Sequence, residues 1–163
     1  MTPSRMIDAS RRMRAVELLG RLELDALVFC QAENLRYLCG FTGSDGVLVV
    51  TADTFVFLTD ARYTTQASEE VVADRIETYA AKAEGLSEAL AQLTVQRIGF
   101  EASLAYGVYN DFRSKGDRDW SWQPLKEDLQ ELRLLKTADE VAAMAQAAET
   151  NRAAFQAVAD RIR

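Results

Sequence analysis

The chain has 163 residues, 48% of them hydrophobic and 27% charged, which is typical of one soluble globular domain with a short extension. Its net charge of -6 argues against nucleic acid as a partner, and no apolar stretch approaches the ~20 residues that span a bilayer, so no membrane partner is expected. The chain has no histidine, which excludes Ser-His-Asp and Cys-His catalysis and every zinc site that contains histidine.

The predicted elements alternate between helices and strands along most of the chain. In the first segment, Met6, Met13, Val16 and Leu19 recur at roughly helical spacing with arginines between them, which predicts a helix. Helices are predicted over 4–22, 32–38, 64–72, 86–93 and 104–114, and strands over 25–30, 47–51, 55–59, 77–80 and 97–100. This order predicts an α/β layered domain with a mixed sheet and helices on both faces. The segment 117–124 is predicted to be irregular, and the domain is predicted to end at residue 124.

The remaining segment, 125–163, is predicted to be a linker helix followed by the first helix of a second domain. Thr137 and Glu140 have capping-box spacing at the start of this last helix. Its apolar stripe consists of Val141, Met144, Ala145, Ala148, Phe155, Val158 and Ile162. Because no helix-ending signal precedes Arg163, the pattern favours a truncated second domain. The alternative, in which this helix packs back onto the first domain, stays open.

Three motifs carry a family resemblance. The first runs Asn34-Leu35-Arg36-Tyr37-Leu38-Cys39-Gly40-Phe41-Thr42-Gly43-Ser44-Asp45-Gly46, and the second is Leu58-Thr59-Asp60-Ala61-Arg62-Tyr63. The third is Glu131-Leu132-Arg133-Leu134-Leu135-Lys136-Thr137-Ala138-Asp139-Glu140. In sequence, order and spacing they resemble the N-terminal domain of the creatinase/prolidase family and its entry into the catalytic domain. The first two motifs are most similar to those of Xaa-Pro aminopeptidases.

The resemblance implies a two-domain metallopeptidase in which this chain is the non-catalytic part. The family's catalytic domain has the pita-bread fold, where two Asp, one His and two Glu hold two divalent ions, commonly manganese, cobalt or zinc. These ions hold a hydroxide that attacks the amide before proline. The five ligands would fall beyond Arg163, so this chain alone is expected to be inactive. A free-standing binding or dimerisation module, a prolidase and another pita-bread hydrolase remain alternatives.

By the same resemblance, such a domain mediates oligomerisation and helps to shape the substrate cleft. The expected partners are its own C-terminal catalytic domain, a second copy in a homodimer or higher oligomer, and a proline-containing peptide. The candidate residues for this face are Arg36, Tyr37, Phe41, Ser44, Asp60, Arg62 and Tyr63. Two interpretations stay open for Arg62, which could pair with Asp60 or bind the carboxylate of a peptide. Asp60 could equally be a helix cap.

The glycines and cysteines of this region have plainer interpretations. Gly40, Gly43 and Gly46 are predicted to form a sharp turn, and they lack the Lys-Ser/Thr ending of a phosphate-binding loop. Cys30 and Cys39 lie nine residues apart in a chain with no other cysteine. This pattern favours reduced thiols and a cytoplasmic location over a disulfide.

Overall fold

The chain forms two compact units, Met1–Leu132 and Arg133–Arg163, in a computed structural model that describes residues 9–117, 119–159 and 161–162. None of the described helices combines the length and the hydropathy needed to cross a bilayer.

The first unit is built on a six-stranded mixed sheet in the order β4-β3-β2-β1-β5-β6. Its strands are β1 Ala26–Phe29, β2 Gly46–Val50, β3 Phe55–Asp60, β4 Arg75–Tyr79, β5 Arg97–Glu101 and β6 Ser121–Leu125. Strand β2 runs antiparallel to both of its neighbours, whereas the β3–β4, β1–β5 and β5–β6 pairs are parallel. Five strands therefore point the same way, and their carboxyl ends meet at one edge of the sheet.

Helices cover both faces of this sheet. They are α1 Ala9–Arg21, α2 Ala32–Cys39, α3 Thr64–Glu70, α4 Lys82–Gln92, α5 Tyr106–Lys115 and α6 Glu127–Glu131, with a 3-10 turn at Ala61–Tyr63. One hydrophobic cluster joins the sheet to α1, α2, α3 and α6, and the other joins it to α4 and α5. The predicted α/β class with a mixed sheet and helices on both faces is confirmed.

The apolar runs of the central strands supply both clusters. In β1, Leu27 and Phe29 face the first cluster, whereas Ala26 and Val28 face the second. Successive side chains of a strand point to opposite faces, so a strand covered on both sides is apolar at every position. The same alternation continues in β2 and β3. These two antiparallel strands form a hairpin that is covered on both sides at the centre of the fold.

The first predicted helix is present as α1, and its buried face includes only part of the apolar residues that indicated it. Met13 is 58% exposed, whereas Ala15, Leu18 and Leu19 are buried against the sheet. These three residues follow i, i+3, i+4 spacing, which defines the face that the sheet covers. Of the residues that indicated the helix, Leu19 is buried, and Met6 lies outside the described residues.

The prediction that 117–124 is irregular is also wrong, because β6 lies at Ser121–Leu125. Its position explains why proline is tolerated: β6 is an edge strand, and Pro124 needs no partner on the open side. The first compact unit continues through α6 to Leu132. A division of domains at residue 124 stays a prediction about the longer protein.

The second unit contains one long helix, α7 Ala138–Ala159. The predicted capping box is confirmed: the Thr137 N–H donates to Glu140 Oε2 at 2.8 Å, and the Glu140 N–H donates to Thr137 Oγ1 at 3.2 Å. Considered by itself, this helix buries none of its described residues. The exposed apolar side chains of the unit include Val141, Met144, Phe155, Val158 and Ile162.

Candidate functional site

The carboxyl edge of the sheet gathers polar residues from several parts of the chain. Asp60 ends β3 and Tyr79 ends β4, and these two residues are partners in the parallel ladder. Asp45 immediately precedes β2, which starts at the same edge because it runs in the opposite direction. We call this polar region the carboxyl edge below.

Asp60 and Arg62 form the best-defined pair at the carboxyl edge. Arg62 Nε donates to Asp60 Oδ2 at 3.0 Å, and Arg62 Nη2 donates to the same oxygen at 2.5 Å. The Arg62 backbone N–H also donates to Asp60 Oδ1 at 2.8 Å, so Asp60 caps the 3-10 turn. Arg62 thus pairs internally, as one of the two interpretations predicts, while 71% of its side chain stays exposed.

Asp45 connects four elements at this edge. Its carboxylate accepts a hydrogen bond from the Tyr79 hydroxyl at 3.1 Å and lies 3.4 Å from Arg62 Nη2. It also forms an ion pair with Lys82 at the start of α4. Its backbone oxygen accepts from Thr59 Oγ1 at 2.6 Å, which fixes the loop against β3.

Tyr63 and Ser44 lie beside this charged group. The two hydroxyls are 2.6 Å apart, and the Tyr63 ring meets Phe41 edge to face with centroids 5.7 Å apart. A Cβ on Gly43 would lie 2.9 Å from Tyr63 Cδ1, so the turn has no room for a side chain there. Phe41 itself is fully buried and packs on Phe57 at 4.7 Å. Its contribution to this edge is therefore to support the Tyr63 ring.

The other two candidates lie on α2 and are not brought together with Asp60 and Arg62 by any hydrogen bond among the described residues. Tyr37 is 8% exposed and faces the first hydrophobic cluster. Its hydroxyl donates to the Leu132 backbone oxygen at 2.7 Å and accepts from Arg14 Nη2 at 2.7 Å. Arg36, on the same helix, has an exposed side chain. Tyr37 thus joins α1, α2 and the end of the first unit.

Two residues of the carboxyl edge were missed by the sequence analysis, namely Tyr79 and Lys82. Neither belongs to a local motif, because the crossover after β3 brings them to Asp45 from more than thirty positions away. Asp45 was part of the quoted motif, where its place between Ser44 and Gly46 was the available signal. A charged residue just before an apolar strand suggests a partner at the strand end.

The described residues offer neither a reactive cysteine nor a group of metal ligands. Both cysteines are free thiols, and burial raises the pKa of each to about 12, so the reactive thiolate form is disfavoured. The described residues contain no group of three or more His, Cys, Asp or Glu side chains arranged to hold a metal ion. What the carboxyl edge offers is a set of paired charges and hydroxyls suited to binding and positioning.

A pH-dependent stability effect is expected from Asp60. The hydrogen bond from Arg62 lowers the pKa of Asp60 in the folded chain below its ordinary value. The unfolded chain therefore takes up the proton first as the pH falls below about 4, and the stabilising contribution is lost from there downward. The difference in unfolding free energy between the wild type and Asp60→Asn should be largest at neutral pH and shrink towards pH 3.

Urea unfolding at several pH values measures this difference. Asp53→Asn, in the exposed turn between β2 and β3, reports the effect of removing one surface carboxylate elsewhere. A difference between wild type and Asp60→Asn that stays constant from pH 7 to pH 3 would contradict the assigned pairing.

The chain belongs to the family described as the creatinase/prolidase N-terminal domain, whose model matches residues 11–135. The match includes the carboxyl edge, α2 and the whole six-stranded sheet. The predicted resemblance to the N-terminal domain of the creatinase/prolidase family is therefore confirmed.

Relatives and solved structures agree with this assignment. The uncharacterized peptidase YqhT of Bacillus subtilis (strain 168) is 33% identical over 141 residues, which cover 85% of this chain and 40% of the relative. A Xaa-Pro dipeptidase from Bacillus anthracis superposes with a TM-score of 0.87 at 27% identity, covering 95% of this chain and 44% of that one. An aminopeptidase P from Streptococcus thermophilus superposes with a TM-score of 0.71 at 25% identity, covering 77% and 98%. The chain spans less than half the length of the first two relatives.

Proposed function

We propose that the chain is the non-catalytic N-terminal domain of a dimetal Xaa-Pro aminopeptidase located in the cytoplasm. The observation that supports the assignment as an N-terminal domain is coverage: the chain aligns over 95% of its length with a Xaa-Pro dipeptidase but covers only 44% of that protein. A second domain would then hold the hydrolytic centre. The two free thiols agree with a reducing compartment.

The metal ions of this proposal belong to the second domain. The described residues of this chain do not fit them, because no three ligand side chains converge and histidine is absent from the sequence. Two divalent ions, manganese, cobalt or zinc, would polarise the scissile amide and supply a hydroxide there. The residues of this chain would act on the peptide or on a neighbouring subunit by binding and orientation.

The carboxyl edge is the surface that we assign to this role. Arg62 is 71% exposed, yet its guanidinium is held by Asp60, which reduces the conformational freedom lost when it binds a partner. Ser44 and Tyr63 add two hydroxyls beside it. Such a surface can orient a peptide carboxylate or contact a second copy in a homodimer or higher oligomer.

The decisive experiment sequences the gene beyond the codon for Arg163, expresses the longer protein and assays it for peptidase activity. We expect two Asp, one His and two Glu in that order, and release of the first residue from a tripeptide with proline second. Activity should be lost on chelation and restored by manganese. If the longer protein cleaves only Xaa-Pro dipeptides, the proposed activity changes from aminopeptidase to prolidase. A frame that lacks these ligands would leave a binding or dimerisation module.

The role of the carboxyl edge is tested in that longer protein with Arg62→Ala. We expect KM to rise about tenfold with little change in kcat, because a charge-assisted hydrogen bond contributes to binding rather than to the chemical step. Arg113→Ala is the matched control, since it removes an exposed arginine from the last turn of α5. Unchanged kinetics together with an unchanged oligomeric state in light scattering would remove the carboxyl edge from the proposal.

A further inference from the structure

Glu101 is a buried carboxylate that the motifs do not include. It is the last residue of β5 and is 2% exposed. Its Oε2 accepts hydrogen bonds from the backbone N–H groups of Cys30 at 2.7 Å and Gln31 at 2.9 Å. Its Oε1 accepts from the Asn34 side-chain amide at 2.6 Å, and Asn34 is itself 5% exposed. In each of these contacts a neighbouring N–H group donates a hydrogen bond to the Glu101 carboxylate.

These donors lie in the first turn of α2 or in the two residues just before it. Gln31 is the cap residue of this helix, and its own side chain makes no capping hydrogen bond. The first N–H groups of a helix lack partners within it and favour negative charge nearby. Glu101 supplies that charge from a strand seventy positions further along the chain.

The position of this carboxylate in the sheet is also informative. Strands β1 and β5 are parallel neighbours, but the chain leaves β1 towards β2 on the opposite side. Open α/β sheets bind their ligands at such a reversal, outside the carboxyl ends of the parallel strands. In this domain the Glu101 carboxylate lies at that position, at the carboxyl end of β5 and hydrogen-bonded to the residues that follow β1.

We propose that Glu101 is a positioning residue that acts as a built-in anion, holding the amino end of α2 and with it the loop that leads to Ser44 and Asp45. Burial raises the pKa of Glu101, whereas the hydrogen bonds from Asn34, Cys30 and Gln31 oppose that change. The nearby Glu33 carboxylate adds to the rise. This role is independent of the proposed peptidase activity, because it concerns only the order of α2 and of the loop that follows it.

Amide hydrogen exchange in the 163-residue chain tests the proposal. In Glu101→Ala, the Cys30 and Gln31 amides lose their acceptor, and we expect their exchange to accelerate about tenfold or more. Acetate has the size and charge of the removed group, so adding it should restore slow exchange at these two amides. Sodium chloride at equal ionic strength and the neutral isostere acetamide should not. Glu33→Ala, an exposed glutamate in the first turn of α2, is the matched control and should leave both amides unchanged.

The outcomes separate positioning by charge from simple filling of space. Equal rescue by acetamide and acetate would mean that only volume matters and would overturn the proposal. Exchange at Cys30 and Gln31 that is unchanged in Glu101→Ala would overturn it as well. Where Glu101→Ala does not fold, Glu101→Gln keeps the volume and decides the matter: faster exchange at these amides supports the proposal, and wild-type rates overturn it.

Discussion

Replacing Phe41 with alanine is expected to lower the unfolding free energy of the first unit by about 3–5 kcal/mol. Phe41 is fully buried, and its ring contacts those of Phe57 and Tyr63, with centroids 4.7 and 5.7 Å away. Truncation therefore removes apolar contacts and opens a cavity between the hairpin and the turn after β3. Urea unfolding followed by tryptophan fluorescence measures the loss, because both tryptophans, Trp120 and Trp122, lie in this unit.

The matched control for this substitution is Tyr106→Ala. Tyr106 is 78% exposed, so its truncation should change the unfolding free energy by no more than about 0.5 kcal/mol. A loss below about 1 kcal/mol for Phe41→Ala would show that the ring is not part of a close-packed cluster. The Ser44–Tyr63 hydroxyl pair would then need another support.

Removing only the hydroxyl of Tyr37 gives the second large effect. Tyr37→Phe keeps the ring and its stacking with Arg11, whose guanidinium carbon is 4.4 Å from the ring centroid. The Leu132 carbonyl loses its 2.7 Å donor, and Arg14 loses its 2.7 Å acceptor. We expect a cost of about 1–3 kcal/mol, because a buried hydrogen bond to the Leu132 oxygen and a part-buried one from Arg14 are both lost.

We expect the loss of unfolding free energy in Tyr37→Phe to lie towards the upper end of that range because of Arg14. Its Nε is buried and already has no hydrogen-bond partner among the described residues, so the Tyr37 hydroxyl is important for satisfying its charge. Tyr63→Phe is the control, since its hydroxyl meets Ser44 in an exposed contact and should contribute no more than about 0.5 kcal/mol. Equal losses for the two variants in urea unfolding would contradict the bridging role of Tyr37.

The central fold was predictable because its signals are local and strong. The apolar run before Cys30 and the short turn between β2 and β3 identify the core strands without any knowledge of distant contacts. The face of α1 was harder, because Met13 and Leu18 are both apolar and only the position of the sheet decides which is buried. Strand β6 was missed because proline and serine are poor strand formers, and pairing with β5 overrides that preference.

The candidate site was predictable in part for a similar reason. The motif that contains Asp60, Arg62 and Tyr63 is contiguous, so its internal pairing could be foreseen. Lys82 begins α4 and Glu101 ends β5, and one sequence does not reveal which distant strand end each of them will meet. A charged residue closing an apolar strand, as Glu101 closes β5, is the signal that could have identified it.

The proline in β6 also affects how the sheet can grow. Ser121 donates to the Gln96 oxygen at 2.8 Å, and the Leu125 oxygen accepts from Ala102 at 2.8 Å, so these two residues direct their backbone groups inward. Backbone groups alternate along a strand, so those of Trp122 and Pro124 face outward. Because proline has no N–H, the open side of β6 offers one donor where two would otherwise stand. The strand is therefore a poor template for edge-to-edge pairing with another chain, and Pro124 alone protects this edge of the sheet from that form of aggregation.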